Sequence, residues 1–327
     1  MPGAGARCNA GDMATPTGQA HARTSEKGQP TSGAPAVKRL AVGVDGYPEG
    51  NDASVLGAAI ARATGAAMLL VAVHPDPMIV VPEGLDWASL HGQARDTLIK
   101  TRDAFAPEAR LAVRTDYSVA RALQRVVLQE SRDLLVVGSS RHAPPGHIRI
   151  GKRTRQLLCQ FECALAVASR GLHANPDFGF ERIGVGYDGG PESEAALEWA
   201  GALAAACGAE LRVRAVVDDR RPIVGWGRAW IADMIRDWTA AVREEEEVVR
   251  KQAFDAAQRT GAKVTAEAVS GRPADALLAL SGHVDLLVIG SRRWGPAQRV
   301  LLGSTGEALM HDAACPVVAV PRSSVER

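Results

Sequence analysis

Short apolar runs alternate with longer helical patterns along the second half of the chain. The runs are rich in Val, Ile and Leu, which is typical of buried strands, and the stretches between them start near Pro and stop near Gly, which is typical of helices. Strands alternating with helices predict a parallel sheet with helices on both faces, a doubly wound α/β domain. The pattern predicts strands at 182–187, 210–217, 263–269, 286–289 and 316–320, and helices at 191–208, at about 229–260, at 273–280 and from 301.

The first half repeats this pattern, because two stretches of sequence occur twice in the same order. The text KRLAVGVDGYPEG at 38–50 returns as ERIGVGYDGGPES at 181–193, and RDLLVVGSSR at 132–141 returns as VDLLVIGSRR at 284–293. Such matches indicate an internal repeat. The second copy has nine more residues between the two matches, which we place around 218–247.

The fold prediction is therefore α/β, with two tandem doubly wound domains, each built on a five-stranded parallel sheet. We predict a first domain at 37–170, a linker at 171–180 and a second domain at 181–323. Residues 1–36 are rich in Gly, Ala, Pro, Ser and Thr without any period, so we predict a disordered tail there.

Composition and charge exclude several classes of protein. The net charge is +1, which makes nucleic acid a poor first choice of partner. No apolar run reaches the roughly 18 residues of a membrane span, and no export signal is evident, so we expect a cytoplasmic protein. The five cysteines lack C-x-x-C spacing, so neither a disulfide framework nor a metal site is predicted.

Two glycine motifs resemble phosphate-binding fingerprints but fit them poorly. GVGYDG at 184–189 matches G-x-G-x-x-G, yet Gly184 and Gly186 lie inside a predicted strand and not after it. In the first copy, Gly151-Lys152 is followed by Arg153, where a P-loop needs a hydroxyl residue. The repeat places Gly151 on Gly303, so this segment corresponds to the second copy's loop.

The stretch GSRRWGPAQRVLLGST at 290–305 is the strongest candidate. It connects a predicted strand with a predicted helix, and the free backbone N–H groups at such a helix start bind anions. Its glycines either form a phosphate-binding loop, which we call the phosphate cradle, or only connect a strand to a helix.

This chain resembles the universal stress proteins, in their tandem two-domain form. The resemblance rests on VGYDGGPESEAALEWA at 185–200, DLLVIGSRRWGP at 285–296 and VLLGSTGEALMHDAACPVVAV at 300–320, and it covers nearly everything from residue 37 to residue 322. The nucleotide-binding members of that family carry G-x2-G-x9-G-[ST] after the fourth strand and an aspartate at the end of the first.

The resemblance implies an adenine-nucleotide site in the second domain, with ATP, accompanied by Mg²⁺, as the expected ligand. Arg293 replaces the second glycine of the motif, and either fills the phosphate space or pairs with the phosphate. By resemblance, the adenosine and phosphates contact Asp188, Val216, Gly290, Gly303, Ser304 and Thr305.

The first copy departs further from the family motif. Arg141 replaces the same glycine, Lys152 replaces the Ser or Thr, and two prolines lie in the loop. We expect the first domain to be mainly structural and to pair with the second. The degenerate site consists of Asp45, Val73, Gly138, Gly151 and Lys152.

Three classes of function remain. The first is a nucleotide-binding stress-response protein in which ATP occupancy is a signal, and the second is a scaffold of the same fold without ligand. The third is an enzyme, which we do not favour because no catalytic set of residues can be assembled; by resemblance, slow ATP hydrolysis is at most incidental. The sequence leaves open whether chains form a homodimer, and whether the insertion at 223–238 covers the crevice, forms an interface or is core.

Overall fold

The computed structural model describes residues 37–74, 87–151, 154–155, 163–217, 231–294 and 299–322, with the backbone alone at 231–237, 292–294 and 299–301. The tail predicted at 1–36 lies outside these residues. The first half contains β1 (Arg39–Val44), α1 (Pro48–Thr64), β2 (Ala67–His74), α2 (Trp87–Phe105), β3 (Arg110–Thr115), α3 (Val119–Gln129), β4 (Leu134–Gly138) and β5 (Ala164–Ala168).

The second half repeats this order of elements. It contains β6 (Arg182–Tyr187), α4 (Pro191–Cys207), β7 (Glu210–Val217), α5 (Ile231–Gln258), β8 (Lys263–Ser270), α6 (Pro273–Ser281), β9 (Leu286–Trp294), β10 (Arg299–Leu301), α7 (Ser304–Asp312) and β11 (Val317–Pro321). The α1 and α4 helices both start with Pro at an N-terminal position, where the missing N–H would have no helical partner.

Both halves share one strand order. The first runs β3-β2-β1-β4-β5 and the second β8-β7-β6-β9-β11, with parallel pairing inside each half. The two last strands, β5 and β11, pair antiparallel, so an 11-stranded sheet runs through both halves. The α/β class with tandem parallel-sheet domains is confirmed, and β10 is an extra short strand of the second half.

Each face of the sheet carries an apolar core that continues from one half into the other. One core packs α1, α2, α4 and α5 on the sheet, through residues such as Leu56, Leu98 and Leu203. The other packs α3, α6 and α7, through residues such as Leu123 and Leu309. Strand side chains alternate between these two cores, because successive residues of a strand point to opposite faces.

The strand order reverses between β1 and β4, and again between β6 and β9. In a doubly wound sheet, crevices form at the carboxyl ends of the strands at such points. The second crevice is therefore expected where β6 ends, beside β9.

The acidic run Glu244–Glu247 lies on α5. Glu244, Glu245 and Glu247 are exposed, and Arg250 pairs with Glu247. Among the described residues, no group of three or more His, Cys, Asp and Glu side chains is arranged to hold a metal ion.

None of the described helices is both long enough and apolar enough to cross a membrane.

Candidate functional site

The carboxyl end of β6 leads into a tight turn built by Asp188. Its Oδ1 accepts a hydrogen bond of 2.9 Å from the Gly190 N–H, and its own N–H donates to Ser193 Oγ at 3.3 Å. The Asp188 side chain is exposed, so its carboxylate is at the mouth of the crevice.

Gly290, on the neighbouring strand, is explained by packing within the protein. A Cβ on this residue would overlap the carbonyl oxygen of Glu192, in the first turn of α4. In the first copy, a Cβ on Gly138 would overlap the carbonyl oxygen of Glu49 in α1 in the same way. Both glycines let a helix start lie directly on the sheet, which requires no ligand; a contact of Gly290 with nucleotide stays a prediction.

The stretch after Gly290 differs from the predicted loop. Strand β9 continues to Trp294, and β10 pairs with it antiparallel, with Val300 opposite Arg293 and Leu301 opposite Arg292. Arg293, at the family's second glycine position, is thus a strand residue of a β-hairpin. The sequence analysis did not predict this hairpin because Gly290, Gly295 and Pro296 are residue types typical of a loop.

The helix predicted from residue 301 starts three residues later, at Ser304. Gly303 is its N-cap and accepts the first helical hydrogen bond from the Glu307 N–H at 2.9 Å. No described side chain caps this end. Gly303 and Ser304 are exposed and Thr305 is half-buried, so the free N–H groups of the first turn face an accessible space.

The conformation and packing of Gly303 do not require glycine. Its φ of −67° suits any residue, and a Cβ there would have no described atom within 4 Å. The first turn of α7 lies against β9, since a Cβ on Gly306 would be 3.6 Å from Ile289 Cδ1. The open space above Gly303 is therefore at the same edge of the sheet as Gly290.

Val216 is half-buried near the end of β7, the strand beside β6. Between these strands, Tyr187 lies opposite Ala215, and the Tyr187 hydroxyl donates to Glu194 Oε1 at 2.7 Å. Burial, and then this hydrogen bond, raise the pKa of Tyr187 to about 12. Tyr187 therefore stays neutral near pH 7. The structure places Asp188, Val216 and Gly290 on or directly after three adjacent strands, near the level at which β6 ends.

The first copy arranges its counterparts in the same way as far as the structure describes them. Asp45 is exposed after β1, Val73 is half-buried near the end of β2, and Gly138 ends β4. Gly151 accepts a hydrogen bond from the Arg155 N–H at 3.0 Å, as Gly303 does from Glu307. Lys152 lies outside the described residues, as do residues 223–230 of the insertion at 223–238, whose remaining residues belong to α5. Whether the insertion covers the crevice, forms an interface or is core stays open.

The first two glycines of the GVGYDG motif, Gly184 and Gly186, lie within β6, as the poor fit to a dinucleotide fingerprint suggested. A Cβ on Gly186 would come within 2.8 Å of Leu277 Cδ1, so this position lets α6 pack closely on the strand. The spacing therefore reflects helix packing.

A separate cavity of about 250 Å³ lies on the sheet of the second half. Arg212 pairs with Glu210 at 3.0 Å and Arg214 with Glu267 at 2.7 Å. A hydrogen bond from Thr265 Oγ1 to Glu210, and then the bond from Arg212, lower the pKa of that carboxyl group. Because Glu210 starts β7, this cavity lies away from the carboxyl ends of the strands. The cavity is lined by Glu210, Arg212, Val213, Arg214, Thr265, Glu267, Leu280 and His283.

Comparison with known proteins identifies the family. The universal stress protein family model matches residues 36–169 and 179–321. The chain therefore belongs to the universal stress protein family and carries two tandem copies of its domain.

The chain is similar to individual members of this family in sequence or in structure. Universal stress protein Rv2005c of Mycobacterium tuberculosis is 25% identical over 295 residues, which cover 87% of this chain and 97% of that protein. A universal stress protein from Archaeoglobus fulgidus has a similar structure, with a TM-score of 0.56, 17% identity and coverage of 87% of this chain and 98% of that one. A universal stress protein solved in complex with cAMP is 24% identical and covers 44% of this chain and 98% of its own, with a TM-score of 0.28; that ligand belongs to that protein.

Proposed function

We propose that the second domain binds an adenine nucleotide, with ATP as the ligand, and that occupancy of this site is a signal in a stress response. The proposal rests above all on the open start of α7: Gly303 is exposed, uncapped by any described side chain and free of described neighbours that require a glycine. An exposed helix N-terminus that no described side chain caps, at the carboxyl edge of a doubly wound sheet, suits a phosphate group.

The residues at this edge offer complementary contacts to a nucleotide. The N–H groups of Ser304 and Thr305 and the Ser304 hydroxyl would hold the phosphates, with the helix dipole favouring their charge. Asp188 would lie beside the ribose, and the Val216 backbone beside the adenine. Mg²⁺ would arrive with the phosphates and keep mainly water and phosphate oxygens as ligands, as this ion prefers.

The test is equilibrium binding of ATP with Mg²⁺ to the intact protein and to Gly303→Val. The added side chain would enter the open space above residue 303, so we expect binding to be lost. Gly151→Val is the matched control, because Gly151 also precedes a helical turn and a Cβ there also has no described atom within 4 Å. We expect this variant to bind like the wild type.

Arg293→Gly decides the role of the arginine. This variant restores the family motif, so tighter binding would mean that Arg293 obstructs the phosphate. Weaker binding would mean that its guanidinium pairs with the phosphate, as arginine does in many phosphate sites.

We propose binding without efficient turnover, with no catalytic residue in the site. The measurement is release of phosphate from ATP under saturating conditions. A turnover near the roughly 10 per second of typical enzymes would contradict this reading.

A ligand-free scaffold is the second candidate function. It is favoured by the hairpin of β9 and β10, which occupies the place where a phosphate loop was expected. Absence of ATP binding to the intact protein up to millimolar concentration would make the scaffold the preferred reading.

A further inference from the structure

The loop that follows β4 in the first copy leaves its own crevice and contacts the second copy. We call residues 143–150 of this loop the clasp. At its base, the Ser140 N–H donates to Arg149 O and the Arg149 N–H donates to Ser139 Oγ, both at 2.8 Å. These bonds fold the loop back on itself, so that its returning half lies beside its start.

The middle of the clasp is tied to the segment that follows β5. The Gly146 N–H donates to Arg170 O at 2.8 Å, and the Arg170 N–H donates back to His147 O at 3.0 Å. The Arg170 guanidinium also donates to Ala143 O at 2.9 Å. The clasp is therefore held in one place by its own domain.

The returning half of the clasp donates to the end of α7, in the second copy. The Ile148 N–H bonds Ala313 O at 2.9 Å, and the Ile150 N–H bonds Met310 O at 3.0 Å. The last carbonyl groups of a helix have no partner inside the helix, so these two donors act as a C-terminal cap supplied by the other domain.

Apolar packing reinforces this cap. Ile148 is fully buried and Ile150 is 8% exposed, in the same core as Leu309, Met310 and Ala313 of the second copy. Arg149, between the two isoleucines, places a guanidinium nitrogen 3.7 Å from Asp312 Oδ1. The clasp thus binds the last turn of α7 through hydrogen bonds, apolar contacts and an ion pair.

The other end of α7 is the candidate phosphate cradle. The helix has nine residues, Ser304 to Asp312, and is thus only about 13 Å long. In so short a helix, a contact at the last turn also bears on the first, so the clasp contributes, together with the packing of α7 in its own domain, to where the N–H groups of Ser304 and Thr305 point.

We propose that the clasp is a positioning element for the second domain's site, with Ile148 and Ile150 as its positioning residues. In the first copy, the clasp lies in the loop where the family's nucleotide motif falls. In this proposal it holds α7, the helix whose N-terminus binds the nucleotide in the second copy. The effect on α7 stands on the contacts alone, whereas the effect on affinity rests on the proposed nucleotide function.

The test compares Ile148→Ala with Leu123→Ala in the full-length protein. Leu123 is a buried residue of α3 in the same core, and it packs near Gly43 of the first copy. It is the matched control, since its truncation removes a similar apolar contact from the same domain without altering the clasp. Folding of both variants is checked by circular dichroism and solution mass.

The first readout is hydrogen exchange of the hydrogen-bonded amides of α7, those of residues 307–312, measured without nucleotide. Ile148→Ala is expected to accelerate their exchange about tenfold or more, because local opening of α7 becomes easier. Leu123→Ala is expected to change it less than about twofold. Equal effects of both variants on residues 307–312 would overturn the proposal.

The second readout is the affinity for ATP with Mg²⁺. We expect Ile148→Ala to weaken binding about fivefold or more and Leu123→Ala to leave it unchanged, since coupling between two sites typically has this size. By the same linkage, ATP should slow exchange of the Ile148 and Ile150 amides in the wild type.

The two readouts separate the two proposals. A wild type that binds no ATP refutes the nucleotide function, while the exchange of α7 still decides whether the clasp positions this helix. A wild type that binds ATP, with a folded Ile148→Ala of equal affinity, refutes the positioning of the site and leaves the nucleotide function intact. If Ile148→Ala does not fold, Ile150→Val is measured in the same way, with the same direction expected at smaller size.

Discussion

The loops after β4 and β9 occupy equivalent places in the two copies and do different things. In the second copy, the chain forms a hairpin and then starts α7 with exposed, uncapped N–H groups. In the first copy, the N–H groups of Ile148 and Ile150, which lie just before the equivalent glycine Gly151, are bonded to carbonyl groups of the other domain. A buried backbone donor must have a partner, so a loop that gives its donors to protein cannot give them to a ligand. Two domains of one topology can therefore diverge in function through the use of a few backbone groups.

The largest effect is expected where the two copies are alike. Gly138→Ala and Gly290→Ala each place a Cβ on a carbonyl oxygen in the first turn of a helix, that of Glu49 in α1 and that of Glu192 in α4. Each should cost more than about 3 kcal/mol of unfolding free energy. Urea denaturation measures this cost. A loss below about 1 kcal/mol in either copy would mean that the packing explanation of that glycine is wrong.

A smaller effect is expected at one aligned position, where the first copy has the buried acid Asp52 and the second copy has an alanine. Asp52 of α1 is fully buried and accepts hydrogen bonds from the Gly171 N–H at 2.9 Å and the His173 N–H at 2.8 Å, with His173 Nδ1 at 2.6 Å. The repeat aligns it with Ala195 of α4. Asp52→Ala leaves these linker groups without their partner and should cost about 3 kcal/mol in urea denaturation.

Asp52→Asn is the control for this prediction. An amide of the same shape keeps one acceptor oxygen for the linker, so we expect it to retain part of the stability that Asp52→Ala loses. Equal stability of the wild type and Asp52→Ala would contradict this prediction. It would mean that the bonds from Asp52 to the linker do not stabilise the first copy, so that the acid in the first copy and the alanine in the second are equivalent.

A pH-dependent effect is expected at one charge pair in each copy. In the first copy, a hydrogen bond from Arg132, whose side chain is only 3% exposed, lowers the pKa of Glu130 from its ordinary value of 4.5. Because the folded-state pKa is lowered, the stabilisation is complete above about pH 4.5 and is lost as the pH falls through the folded-state value. Glu130→Gln should cost about 1–2 kcal/mol at pH 7, after solvent screening, and less at pH 3.

Urea denaturation of Glu130→Gln and of the wild type, from pH 3 to pH 7, measures this difference. Glu210→Gln in the second copy is the comparison, although the two positions are not equivalent in the repeat. The pKa of Glu210 is also lowered, first by the hydrogen bond from Thr265 and then by that from Arg212, so its pH dependence should have the same sign. A destabilisation by Glu130→Gln that grows toward acid pH would contradict the lowered pKa of this carboxyl group.

The smallest effect on stability is expected at the two open glycines. Gly303→Ser and Gly151→Ser add a small side chain where no described atom is within 4 Å, and serine is a preferred N-cap residue. We expect changes within about 0.5 kcal/mol in the melting or urea curve of both variants. A marked loss at residue 303 would mean that its glycine has a structural role, which would weaken the case for a ligand there.

Much of the fold was predictable from local patterns. The repeat and the period of its apolar residues predicted two parallel α/β domains, and the strands predicted at 182–187 and 210–217 have those bounds in the structure. These features are legible because hydrophobic periodicity is a property of neighbouring residues. The resemblance predicted the family, which the family model confirms. The individual site residues stay predictions.

Other features depended on contacts between residues far apart in the chain. In the sequence, Gly290 and Gly303 are two glycines of one motif. Only the structure shows that Gly290 packs against Glu192, whereas a Cβ on Gly303 would have no described atom within 4 Å. The alternation of Ile148 and Ile150 in a polar loop was the one signal of the clasp, but its partners Met310 and Ala313 belong to the other domain. The sequence alone thus determined which elements form and how they repeat, because these follow from local pattern. The tertiary structure decided which backbone donors are used within the protein and which stay open, because that depends on which distant groups the fold brings within hydrogen-bond distance.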